Sequence, residues 1–191
     1  MDTVLRKPTA TGKEKRRVAA NGFTLVETLI AIIVLAIAAV GLASMLGNAL
    51  SYMQGSQNDF IAKQKAEEAL EAIFTAKYDN TITYAQIANT SATPPGIFLT
   101  GPQSLRQPAT NGLVGTTNDA TATPDYIIMP GPDGLLGTAD DINVPLTNFK
   151  RTITITATAT NNLKQVVVTI TYPAGQATRS YTMETYISAF Q

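Results

Sequence analysis

Four carboxylates in this sequence stand where their neighbours could give them a task. Asp133, Asp140 and Asp141 fall within residues 130–142, together with Gly131, Gly134 and Gly137. Calcium takes about six to eight oxygen ligands, and glycines let backbone carbonyls turn inward. The stretch could therefore hold a structural Ca2+ through those three aspartates. It lacks EF-hand spacing, and Asp and Gly also serve β-turn geometry alone. The fourth carboxylate, Glu27, stands at the head of an apolar run, and no further charge follows until Asp59. A carboxylate there is disfavoured by up to ~2.5–3.5 kcal/mol at mid-bilayer, less near the interface, so it calls for a partner. The chain has no cysteine and no histidine. That excludes disulfides, thiolate metal sites, Ser-His-Asp and Cys-His mechanisms. A hydrolase working through carboxylates alone is left, but no pair of them stands in a cleft-forming context.

The element that carries Glu27 is long. Between residues 29 and 46 only Ser44 is polar, and no proline occurs between Phe23 and Thr93. About 20 apolar residues rising ~1.5 Å each span the hydrocarbon layer of a bilayer. A helix is the single-segment structure that satisfies its own backbone there. Before it, residues 1–22 hold Arg6, Lys7, Lys13, Lys15, Arg16 and Arg17 against Asp2 and Glu14. Basic residues beside a first span keep that end in the cytoplasm. A secretory signal peptide would have a shorter apolar core and no use for Glu27.

The run Gly22-Phe23-Thr24-Leu25-Val26-Glu27 with the span behind it resembles the class III leader of type IV prepilins and type II secretion pseudopilins. Motif, charge pattern and span occur in one order over about 30 residues, which makes the likeness specific. The resemblance implies that a prepilin peptidase and N-methyltransferase cuts between Gly22 and Phe23 and methylates Phe23. It implies that Glu27 is kept for filament assembly, pairing with the amine of a neighbouring subunit. It further implies a bacterial inner-membrane precursor, single-pass with its N-terminus in the cytoplasm. That precursor would be extracted from lipid by an assembly platform into a periplasmic or cell-surface filament with other pilin or pseudopilin subunits. Removing 22 residues leaves eight of the fourteen basic and twelve of the fourteen acidic residues. No basic patch then suggests nucleic-acid binding.

The remaining chain reads as one exported domain, residues 51–191. Over residues 56–78, Ala62, Ala66, Ala69, Leu70, Ile73 and Ala76 recur with a helical period, as on an amphipathic helix. Gly41, Gly47 and Gly55 each weaken a helix by up to ~1 kcal/mol, so curvature or loosening is expected between Gly41 and Gly55. Residues 79–148 contain eight of the ten prolines and one basic residue, Arg106. They read as a long variable loop region with a short strand at residues 126–129.

Residues 149–190 carry the β-signal. Ile153, Ile155, Ala157 and Ala159 alternate with threonines over residues 151–160, and Asn161-Asn162 offers a two-residue turn. Val166, Val168, Ile170 and Tyr172 line one face of residues 163–172. Residues 173–176 turn again, and a last strand covers about 178–189. Three antiparallel strands with one apolar face need a cover, which the alanine-rich helix can supply. The expected fold is α+β: a long N-terminal helix, transmembrane or filament-core over residues 23–50, whose second half packs on a small C-terminal antiparallel sheet. That is the pilin arrangement.

The expected function is a structural subunit, not an enzyme, and most like the minor pilins. The alternatives are a pseudopilin of a type II secretion system and a signal-anchored exported binding domain that does not polymerise. The Asp- and Gly-rich stretch is similar to the calcium loop of major pseudopilins.

Overall fold

The computed structural model describes residues 22–159, 162–175 and 177–190. The chain divides into two compact units, residues 1–45 and 46–191. Helix α1 (Leu25–Tyr78) contributes to both. The leader through residue 21 lies outside the described residues.

In the first unit the described part of α1 exposes every residue. Among the described residues, α1 is the one helix long and apolar enough to cross a membrane. Its helical assignment continues through Gly41, Gly47 and Gly55, so the expected loosening is not found. The alanines, leucines and methionines around these glycines are strong helix formers and carry the turns across them.

In the second unit α1 buries Gly55, Ile61, Ala62, Ala66, Ala69, Leu70, Ile73 and Ala76. This is the stripe expected from the sequence. Small alanine side chains let the helix lie close to the core, where Val166, Val168, Ile170 and Tyr172 are buried with them. The principal sheet has four strands rather than three. Strands β1 (Gln103–Ser104), β4 (Lys150–Ala157), β5 (Leu163–Ala174) and β6 (Ala177–Ser188) lie in the order β1-β4-β5-β6, each pair antiparallel. Strands β2 (Tyr126–Met129) and β3 (Ile142–Pro145) form a separate antiparallel pair.

Two boundaries differ from the sequence reading. Strand β4 ends at Ala157, not at residue 160. Thr158 donates from both its backbone N–H and its hydroxyl to the Leu163 carbonyl (3.1 and 3.0 Å), which closes the loop early. The proposed turn residue Asn161 lies outside the described residues. Strand β5 runs on through Pro173 and Ala174, which the sequence placed in a turn. Proline is tolerated there because β4 begins at Lys150, opposite Thr171, so no β4 residue faces the missing N–H. The chain then reverses beside Gly175, whose φ of 65° suits glycine.

Residues 79–148 are not a loose loop. Ile82, Ile87, Phe98, Leu105, Leu113, Val114 and Leu146 join the core of helix and sheet. Lys164 Nζ donates to the carbonyls of Tyr84 and Ile87, both at 2.8 Å, and lies 4.5 Å from the centre of the Tyr84 ring. Asn89 does the most to attach this segment to the sheet. Its Nδ2 donates to the Ile153 carbonyl (2.8 Å), and its Oδ1 accepts the Ile155 N–H (2.8 Å). The side-chain amide thus replaces one residue of a neighbouring strand along β4. Asn89→Ala is expected to destabilise the domain by ~2–3 kcal/mol, because it leaves a buried carbonyl and an inward N–H without partners. Chemical denaturation measures the loss. Amide exchange at Ile155 should accelerate at least tenfold (about 1.4 kcal/mol) in the same variant. A loss under ~0.5 kcal/mol would show that water replaces the amide freely.

Candidate processing and assembly site

Gly22, Phe23 and Thr24 precede the helix, so the Gly22–Phe23 bond lies in exposed, non-helical chain. Phe23 is exposed. Thr24 caps α1: its hydroxyl accepts the Glu27 N–H (3.2 Å), and its carbonyl accepts the Thr28 N–H (3.1 Å). The Thr28 hydroxyl donates back to the Leu25 carbonyl (2.8 Å). Four N–H groups at a helix start have no helical partner, and a threonine oxygen at the N-cap satisfies one of them. The spacing Thr24 to Glu27 is that of a capping box, a signal the sequence reading passed over.

Glu27 therefore occupies the first turn, where the helix dipole favours a negative charge by ~0.3–1 kcal/mol. Its side chain is exposed, and among the described residues no cation forms an ion pair with it. The geometry sets an exposed, non-helical Gly22–Phe23 bond just ahead of a capped helix, with one carboxylate on that helix's first turn.

The second group of sequence-derived candidates lies between β2 and β3. Each aspartate is engaged by its own loop. Asp133 Oδ1 accepts the Leu135 N–H (2.8 Å), and Asp141 Oδ2 accepts the Gly137 N–H (2.7 Å). Asp140 accepts from the Thr138 hydroxyl (2.7 Å) and the Asp133 N–H (3.2 Å). The Thr138 hydroxyl, then the Asp133 amide, hold the Asp140 carboxyl below the usual carboxylate range. Gly131 is required where it stands, since an added Cβ would overlap the carbonyl of Asp140. Among the described residues no three Asp, Glu, His or Cys side chains come together as a metal-binding group. The oxygens named accept turn N–H and hydroxyl donors, while Asp141 Oδ1 is buried without a hydrogen-bond partner.

A third group was missed in the sequence. Lys65 Nζ lies between Asp125 Oδ2 (2.7 Å) and Glu68 Oε2 (2.8 Å), with its side chain 15 % exposed. Burial alone would lower the Lys65 pKa. The hydrogen bonds and charges of Asp125 and Glu68 outweigh it, and the pKa is raised. Arg151 is 2 % exposed and is the largest fully buried side chain among the described residues. Burial pulls its pKa down from the ordinary arginine value, and the charges of Asp119, Glu68 and Asp125 partly restore it. A signal for Arg151 existed, since it shares parity along β4 with the buried Ile153. Nothing local in the sequence marks Lys65 or Asp125.

Among families, the one described as the prokaryotic N-terminal methylation motif matches residues 17–43, a segment that includes Gly22, Phe23 and Glu27. Comparison with curated proteins and with solved structures returned no match.

Proposed function

We propose that this chain, which carries the class III methylation signal of type IV pilins and pseudopilins, is the precursor of a minor structural subunit of a type IV pilus-like filament. The observation that carries the reading is the coincidence of that motif with an exposed Gly22–Phe23 bond, a capped helix start and a membrane-length apolar helix. The α+β layout, one long helix with a C-terminal antiparallel sheet, is consistent with a pilin fold.

In this reading the basic leader keeps the N-terminus in the cytoplasm while α1 anchors the precursor in the inner membrane. Prepilin peptidase cleaves after Gly22 and methylates the new amine of Phe23. Subunits then leave the bilayer through the assembly platform and pack their apolar helices together. Within that core the amine of Phe23 on one subunit pairs with Glu27 on the next. Low dielectric strengthens the pair and penalises a misplaced single charge, so the contact checks register. Pseudopilins of type II secretion systems share the same signal and chemistry, and differ in which assembly platform receives the subunit.

The test is the mass and N-terminal sequence of the chain recovered from membranes of its native host. The expected product begins at Phe23 and carries one added methyl group. A product that still begins with the basic leader, or one clipped beyond residue 46, would overturn the reading.

A further inference from the structure

The hairpin of β2 and β3 ends in apolar residues that the globular unit does not cover. Its antiparallel register pairs Ile127 with Val144 and Met129 with Ile142, so these four share one face. Ile127 packs against the core, whereas Met129 and Ile142 are 40 % and 54 % exposed. The hairpin therefore runs on past the edge of the core. At its tip Leu135 and Leu136 are 62 % and 65 % exposed. The tip is held in shape by its own turns: the Gly134 N–H donates to the Gly131 carbonyl (3.0 Å), and the Leu135 and Gly137 N–H groups donate to Asp133 and Asp141. Asp133 and Asp140, exposed in the same loop, form no ion pair among the described residues. A second uncovered apolar surface lies at the C-terminal end of α1. There Phe74, Lys77, Tyr78 and Phe190 wall an open groove of about 460 Å³, and all three rings are exposed. Lys77 Nζ donates to the Phe190 carbonyl (3.1 Å) and forms no ion pair among the described residues. The chain's own hairpin does not fill the groove, since Leu135 and Leu136 are not among its walls.

We propose that the Leu135–Leu136 tip of one copy of this chain seats in the Phe74–Tyr78–Phe190 groove of a second copy. Aliphatic side chains laid among aromatic rings remove apolar surface from water on both partners. A cavity of roughly 150 Å³ admits benzene, so a groove of about 460 Å³ has room for two leucine side chains. The charges match as well. Asp133 and Asp140 travel with the tip and Lys77 with the groove, and opposite charges at the rim fix register and disfavour wrong partners. The same two carboxylates repel an anionic lipid surface. Because the turns already hold the tip in shape, little ordering cost opposes the contact. Tip and groove are different surfaces, so each copy offers both and the contact repeats in one direction. This contact rests on the filament reading for its setting and adds the neighbour: the subunit enters in runs of two or more copies rather than singly. It does not involve cleavage after Gly22.

The chain has no cysteine, so an introduced thiol is the only one it carries. Two differently tagged full chains, Leu136→Cys and Tyr78→Cys, are co-expressed in the native host and treated with a short bis-maleimide in membranes and in sheared filaments. Both positions are exposed, so neither change disturbs the core. The mixed-tag product should exceed that of Leu136→Cys with Thr182→Cys, an exposed position on β6, by about tenfold. Leu135→Glu added to the first chain should return the product to the Thr182 level. Lys77→Glu in the second chain should lower it about fivefold, while Lys77→Arg keeps it. Equal capture at Thr182, or capture that Leu135→Glu leaves intact, overturns the proposal. So does a Leu136→Cys thiol shielded from maleimide with no mixed-tag product, which would show a different molecule on the tip. The mass of the chain from the same membranes separates the two readings. A processed chain without the mixed product removes the contact and keeps the filament reading, and an unprocessed chain with it does the reverse.

Discussion

Phe98→Ala is expected to remove ~3–5 kcal/mol from the stability of the globular unit, the range for truncating a fully buried phenylalanine. Domains of this size are stable by ~5–15 kcal/mol, so the loss is a large share of the whole. The argument begins with position. Phe98 has no exposed surface and sits among Ile87, Leu105, Leu113 and Val114 in the core cluster. Its backbone forms bridges with Asn89 on one side and Thr116 on the other. Its N–H donates to the Ala88 carbonyl (3.1 Å), and its own carbonyl accepts the Thr90 N–H (2.8 Å). The ring is thus the plug around which residues 87–116 are wound. Removing it opens a void that these short bridges, held by tertiary contacts, cannot close. Chemical denaturation of the full chain in detergent measures the effect, and Phe98→Leu should lose less than half as much. A loss below ~1 kcal/mol would mean that residues 79–148 fold apart from the helix and sheet.

Glu27→Ala is expected to lower incorporation into filaments at least tenfold while cleavage and membrane insertion proceed normally. The helix cap at this position does not depend on the side chain. The Thr24 hydroxyl binds the backbone N–H of residue 27, not its side chain, so the helix cap survives in alanine. Loss of the carboxylate from the first turn withdraws only ~0.3–1 kcal/mol of dipole interaction. The isolated subunit should therefore be nearly unchanged. On the proposed reading, a large assembly defect then arises where one subunit meets another, at the amine of Phe23. Glu27→Gln, which keeps shape and loses charge, should match the alanine variant. The readout is the fraction of chain in sheared filaments relative to membranes. Wild-type incorporation of both variants would remove the charge pair from the mechanism.

What could be read in advance depended on how regularly each element repeats. Val166, Val168, Ile170 and Tyr172 alternate without interruption, and β5 follows them. Strand β2 at Tyr126–Met129 also emerged where expected. Strand β1 has two residues, too few to display a period, and it exists only because β4 offers it a ladder. The core of residues 79–148 was hidden for another reason. Its apolar residues are scattered among prolines, glycines and threonines and converge only through tertiary contacts. Asn89 illustrates the limit: one amide on an irregular stretch reaches a strand more than sixty residues away. At the N-terminus the reverse held. Gly22, Phe23 and Glu27 fall within six residues, so a short window of sequence sufficed for the likeness to the methylation motif.

The side-chain clamp on β4 has a further result. Sheets with bare flanks invite foreign strands, and a molecule concentrated among its own copies is especially vulnerable. Here the flank of β4 is occupied by β1 at Arg151 and by Asn89 at Ile153 and Ile155. An incoming chain finds no vacant rungs along that stretch. Edge-to-edge pairing, the first step towards amyloid, is barred along that stretch of β4.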